Sequence, residues 1–108
     1  MTRYIHVLPR ARRDLFRIMT WLQSRSPRGA VSWLRAFWLA ATRIADDPVS
    51  FPLADEAHRL SRAVREALFK TRRGRRYRII FDFSDDEVFI HGVRRPGQRP
   101  LRRGDLVD

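Results

Sequence analysis

The chain contains no cysteine. That excludes a disulfide framework, a thiolate zinc site, an iron-sulfur cluster and a cysteine nucleophile, and it fits a reducing compartment. Lysine is nearly absent as well: Lys70 is the single lysine among 23 basic residues, so the positive charge is carried almost wholly by arginine. Arginine's planar fork suits phosphate and carboxylate better than an ammonium does. No run of 18 apolar residues occurs, and the first residues, Met1 to His6, hold no apolar stretch of signal-peptide length. The expectation is therefore a cytoplasmic protein with no membrane span. The three histidines, His6, His58 and His91, are far apart and lack metal-ligand spacing. There is no glycine-rich phosphate loop, and Ser24, Ser26 and Ser61 lack a nucleophile-elbow context. No metal and no cofactor are expected.

What is present is enough for one folded unit. The 108 residues suit a single domain spanning 1–108. An apolar fraction of 44%, with 7 Phe, 3 Trp and 2 Tyr, supplies a core and excludes disorder as a description of the whole. The net charge of +11 calls for an acidic partner: nucleic acid, an acidic protein or an anionic surface.

Periodicity orders the elements. Tyr4 to Leu8 is short and apolar and is stopped by Pro9, which predicts a first strand followed by a helix start. Ala11, Leu15, Ile18, Met19 and Leu22 recur at helical spacing, with Arg12, Arg13 and Arg17 off that face. Ser26-Pro27 then pairs an N-cap with a first-turn proline. A second helix with the stripe Ala30, Val31, Leu34, Phe37, Trp38, Ala41, Ile44 and Ala45 runs to Asp46-Asp47-Pro48. So short a turn predicts an antiparallel helical hairpin. Residues 49–62 show no period and are expected to be a surface connection. Val64–Lys70, Tyr77–Phe83 and Glu87–Val93, separated by turn compositions, predict a three-stranded antiparallel meander. The fold class is α+β, an N-terminal strand and helical hairpin packed on an antiparallel sheet. The tail from about residue 96 has loop composition and is expected to be mobile.

Pro9-Arg10-Ala11-Arg12-Arg13-Asp14-Leu15, Ala45-Asp46-Asp47-Pro48, Val64-Arg65-Glu66, Tyr77-Arg78-Ile79-Ile80-Phe81 and Val88 to Arg95 occur in an order and at a spacing that resemble the RelE/ParE superfamily of type II toxin-antitoxin and plasmid-stabilisation modules. The resemblance spans nearly the whole chain, and its long hairpin and its Val-Arg-Glu and Tyr-Arg-Ile-Ile-Phe steps look more like the ParE branch. It implies a growth-inhibiting toxin that binds DNA gyrase and is neutralised by a cognate acidic antitoxin. The alternatives are a RelE-like endoribonuclease that cuts mRNA on the ribosome, and an inactive relic that only binds antitoxin or nucleic acid. On the ribonuclease alternative, the resemblance makes Arg78, Arg94 and Arg95 the weak catalytic candidates. No tyrosine follows Tyr77, however, and Phe69 and Thr71 stand where the strand-two lysines would be, with Lys70 between them. This departure favours the ParE branch.

RNA cleavage through a 2′-hydroxyl needs a base, an acid and cations. Cations abound, and Glu66, Asp82 and His91 are the strand residues that offer a base. Alternation puts Tyr77, Ile79, Phe81 and Phe83 on the hairpin face and Arg78, Ile80 and Asp82 on the other. Arg78 is therefore expected to be accessible for target binding with Arg65, Arg94 and Arg95, or else to be neutralised by Asp82 or another acid. His91 should share a face with Phe89 and Val93. Arg72, Arg73, Arg75 and Arg76 form a basic turn suited to a nucleic-acid backbone or an acidic antitoxin tail. Trp38 fits the core stripe, whereas Trp21 and Trp33 are expected outside it as antitoxin-binding surface, with core packing as the alternative.

Overall fold

The computed structural model describes residues 2–60 and 63–102. Its order is β1 (Tyr4–Val7), α1 (Pro9–Arg25), α2 (Pro27–Asp46), a 3-10 turn (Pro48–Ser50), α3 (Glu56–Leu60), β2 (Arg65–Phe69), β3 (Tyr77–Phe83) and β4 (Glu87–Arg94). Together these make an α+β domain with a four-stranded sheet in the order β1-β4-β3-β2.

The hairpin turns on one residue. Ser26 has extended backbone; its N–H donates to the Leu22 carbonyl at the end of α1, and its hydroxyl accepts from the Gly29 N–H at 3.0 Å. A single side chain thus caps α2 while the same residue closes α1, a contribution of about 1 kcal/mol. The apolar stripes of both helices then meet one face of the sheet. Trp33, Phe37, Ala41 and Ile44 of α2 join Ala11 and Ile18 of α1, Phe69, Tyr77, Ile79, Phe81, Ile90 and Val93 in one core.

The sheet corrects the expected antiparallel arrangement. β2, β3 and β4 form the antiparallel meander, but β1 lies parallel to β4, pairing Tyr4 with Glu87 and Val7 with Ile90. Local patterning specifies each strand and the short turns between neighbours. It does not specify where a strand separated from the meander by two helices will dock. The register also skips between Ile80 and Phe81, so that Phe81 faces Ile90 while Ile80 faces Gly92. This bulge carries both Ile90 and Val93 into the hairpin core, whereas simple alternation separates them. His91 consequently does not share a face with Val93; its Nε2 lies 3.1 Å from Asp82 Oδ2.

β1 covers β4 only as far as Ile90. Beyond it, α1 takes over: the Asp14 carboxylate accepts from the Val93 N–H at 2.9 Å. Burial raises the Asp14 pKa, opposed by that N–H and by the charges of Arg10, Arg94 and Arg17. Asp14→Ala, which strands a buried N–H, should lower stability by about 1–3 kcal/mol. Asp14→Asn keeps an acceptor and should lose far less. Thermal melts of the two variants check this, and equal losses would mean that the Val93 bond contributes nothing.

The connection after α2 is more than a surface link. Leu53 bridges to Arg65, the Ala54 N–H donates to the Val64 carbonyl, and Ala54 and Glu56 are buried. Ala54, Val64, Ile80 and Leu101 form a second small core on the face of the sheet opposite the hairpin. The tail is ordered where it is described: a turn joins Arg95 to Gln98, and Leu101 is fully buried. The remainder of the expected mobile tail, residues 103–108, lies outside the described residues.

Candidate functional site

The face of the sheet away from the hairpin brings together Arg78 and Arg94 of the residues singled out for effector chemistry, whereas Arg65, paired with Phe81, lies on the hairpin face. The register sets Arg78 opposite Arg94 across β3 and β4, two arginines side by side, an arrangement that needs compensating acids. Arg78 finds two. Its Nη2 donates to Glu56 Oε1 at 2.5 Å and its Nε to Glu66 Oε1 at 3.1 Å. Glu56 is fully buried, and its other oxygen accepts from the Leu101 N–H at 3.2 Å. Burial pushes the Glu56 carboxyl upward, but the Arg78 hydrogen bond and the N–H groups of Glu56 and Leu101 outweigh it, and the pKa lies below the ordinary glutamate value. For Arg78, burial works against the charge, yet the two glutamates outweigh it and raise the pKa.

These contacts decide between the two expectations for Arg78: its side chain is 19% exposed rather than accessible, and it is neutralised by acids other than Asp82, namely Glu56 and Glu66. Arg94 is fully buried and donates from Nη2 to the Arg99 carbonyl. Arg65 is half-buried, with Nη1 donating to the Phe51 carbonyl at 2.6 Å. Of the four predicted target-binding arginines, Arg95 alone is exposed, on the tail turn. Glu56 was not legible as a member of this cluster. It sits 22 residues from Arg78 in a stretch without periodicity, and an Asp55-Glu56 step there carries no local sign that one of the two is buried.

The candidate bases are engaged too: Glu66 holds Arg78, and Asp82 lies against the buried His91. Outside that set, His6 stacks on Phe89 with its Nε2 2.5 Å from Glu87 Oε2. Among the described residues, no three His, Asp or Glu side chains converge as a metal site, and no helix is long and apolar enough to cross a membrane.

The tryptophan assignment is reversed in part. Trp33 is 3% exposed and packs against Phe37, Phe69 and Tyr77 at centroid distances of 5.2–6.3 Å. Trp38, expected in the core stripe, is 44% exposed, as is Val31 at 59%. A twenty-residue helix that crosses a twisted sheet buries a stripe narrower than its full set of apolar positions, so some face water. Trp21 does lie on the surface. With Phe16 (75% exposed), Arg12, Arg13, Arg17 and Thr20 it lines a shallow cleft of about 680 Å³ along α1. Arg72, Arg73, Arg75 and Arg76 are all exposed on the β2–β3 turn.

No protein-family model matches the chain, and no curated protein is significantly similar to it.

Proposed function

We propose that this chain is the toxin of a type II toxin-antitoxin module, ParE-like, which arrests growth by binding DNA gyrase in the cytoplasm and is neutralised by a cognate acidic antitoxin. The order of strand, helical hairpin and three-stranded meander agrees with the RelE/ParE-like fold that the sequence motifs imply. The observation that carries the choice of branch is the engagement of Arg78 and Arg94. One is held by two glutamates and the other is fully buried. A ribonuclease needs its cations free to meet a developing phosphorane charge, so these contacts count against the RelE-like alternative.

The exposed face of α1 supports the antitoxin half of the reading. Phe16 and Trp21 stand among Arg12, Arg13 and Arg17, which suits an acidic, amphipathic segment that folds as it binds. Expression without antitoxin should stop growth with loss of DNA supercoiling while protein synthesis continues at first. Pulse labelling beside a plasmid-topology gel reads both. An immediate block of translation with mRNA cut at ribosomal positions would overturn the ParE-like choice in favour of the ribonuclease, and normal growth would leave only the binding relic.

A further inference from the structure

Where the tip of the helical hairpin meets the β2–β3 turn and the tail, a cavity of about 750 Å³ opens. Its most deeply buried lining is aromatic: Trp33 and Tyr77 meet edge to face at 5.2 Å, and both are more than nine-tenths buried. Trp21 lines the cavity from the end of α1, half exposed, with the Arg25 guanidinium stacked 4.5 Å from its ring. Arg73 and Arg75 of the turn and Arg95 of the tail add three more cations, all exposed.

Two glycines shape the backbone that holds these cations. Gly74 separates Arg73 from Arg75 where a Cβ would lie 2.2 Å from Thr71 Oγ1, so a side chain there would require the Thr71 hydroxyl to turn away. Gly97 has a φ of 75°, which a glycine adopts without strain. It lets the Arg95–Gln98 turn close, with the Gln98 side chain accepting from the Arg95 N–H at 3.0 Å. Burial raises the Tyr77 pKa while the charges of Arg95 and Arg75 oppose the rise.

One polar group inside this lining is incomplete. The Trp33 indole N–H is buried and meets no acceptor among the described residues. A buried donor of this kind is costly unless something completes it.

We propose that this cavity binds a nucleotide, its base against the Trp21, Trp33 and Tyr77 wall, its phosphate held by Arg73, Arg75 and Arg95. Each part of the site answers one part of that ligand. The half-exposed Trp21 ring offers a face on which any base can stack, a base carbonyl or ring nitrogen reaching past it would complete the Trp33 indole N–H, and guanidinium forks take the phosphate. The volume lies within the range of about 300–1,000 Å³ usual for small-molecule sites. Inorganic phosphate or a ring-free acidic peptide would leave the aromatic wall unmet. The nucleotide is either free or an unpaired residue of a strand. The proposal stands apart from the toxin reading, because it concerns what the purified chain binds and not what arrests growth.

Intrinsic tryptophan fluorescence and the anisotropy of a labelled single-stranded RNA of about eight nucleotides test it on the full chain, at about 150 mM salt. The competitors are AMP, a duplex of the same length, pyrophosphate and an oligoglutamate peptide. The single strand should bind and quench the tryptophans. Displacement by AMP would identify one free nucleotide as sufficient, whereas resistance to AMP would identify the strand as the source; either result upholds the site. Arg73→Ala with Arg75→Ala should weaken binding about tenfold or more. Trp33→Phe, which deletes the N–H and keeps one ring of the indole, should weaken it several-fold with a fall in Tm much smaller than that of Trp33→Ala. Should Trp33→Phe melt early, Trp21→Ala carries the aromatic test, since that side chain is half exposed. No binding at this salt, equal competition by pyrophosphate, duplex or peptide, or indifference to both the arginine and the aromatic variants would overturn the proposal.

Discussion

Glu56→Ala should destabilise the fold by about 3–5 kcal/mol, because removing one partner of a buried pair leaves the other charge uncompensated. Here it would leave Arg78 with Glu66 alone and strip the acceptor from the Leu101 N–H. For a chain of this size the melting temperature should fall by roughly 15 °C or more. Glu66→Ala should cost much less, about 1 kcal/mol, because that carboxylate is 23% exposed and sits at the longer distance of 3.1 Å. The pH dependence has a definite sign. Glu56 is held below its ordinary value, so its stabilisation is fully present above a pH of about 4.3 and is lost as pH falls through the lowered folded value. Asp14, raised by burial, works the other way: its contribution is present below the unfolded aspartate value and is lost as pH rises through the raised one. Melts of wild type and both glutamate variants across the acid range would show this. If Glu56→Ala melts within a few degrees of wild type at neutral pH, the Glu56-Arg78 pair is not holding α3 and the tail to the sheet.

The second large effect is expected at Trp33. Trp33→Ala should cost about 3–5 kcal/mol, since it opens a cavity at the centre of an aromatic cluster formed with Phe37, Phe69 and Tyr77. Trp21→Ala should leave the melting temperature within a few degrees of wild type, because that ring is 49% exposed and stacks against the surface Arg25. The contrast separates the two tryptophans that look alike as surface candidates. Circular dichroism melts decide it. Equal losses in the two variants would place Trp21 in the core's energetics as well, and would remove it as a residue that can be spared for binding.

Local chemistry was enough to place most of the elements. Pro9, Ser26-Pro27 and Asp47-Pro48 bound the two long helices where their caps and prolines say they must, and alternation in Tyr77–Phe83 marks β3 to the residue. These signals are short-range: a cap is satisfied within three residues and a strand alternates whatever lies beside it. The +11 charge and the basic β2–β3 turn were equally plain, because composition does not depend on the fold. The tertiary structure alone decided everything that joins distant segments. It set β1 parallel to β4, skipped the register at Ile80 to bring Val93 into the core, and buried Trp33 instead of Trp38. It also brought Glu56 to Arg78 across 22 residues and closed Arg73, Arg75 and Arg95 around Trp33 and Tyr77. A buried ion pair and a cavity wall are properties of what surrounds a side chain, and periodicity reports which way a side chain points from its own element but not what it will meet there.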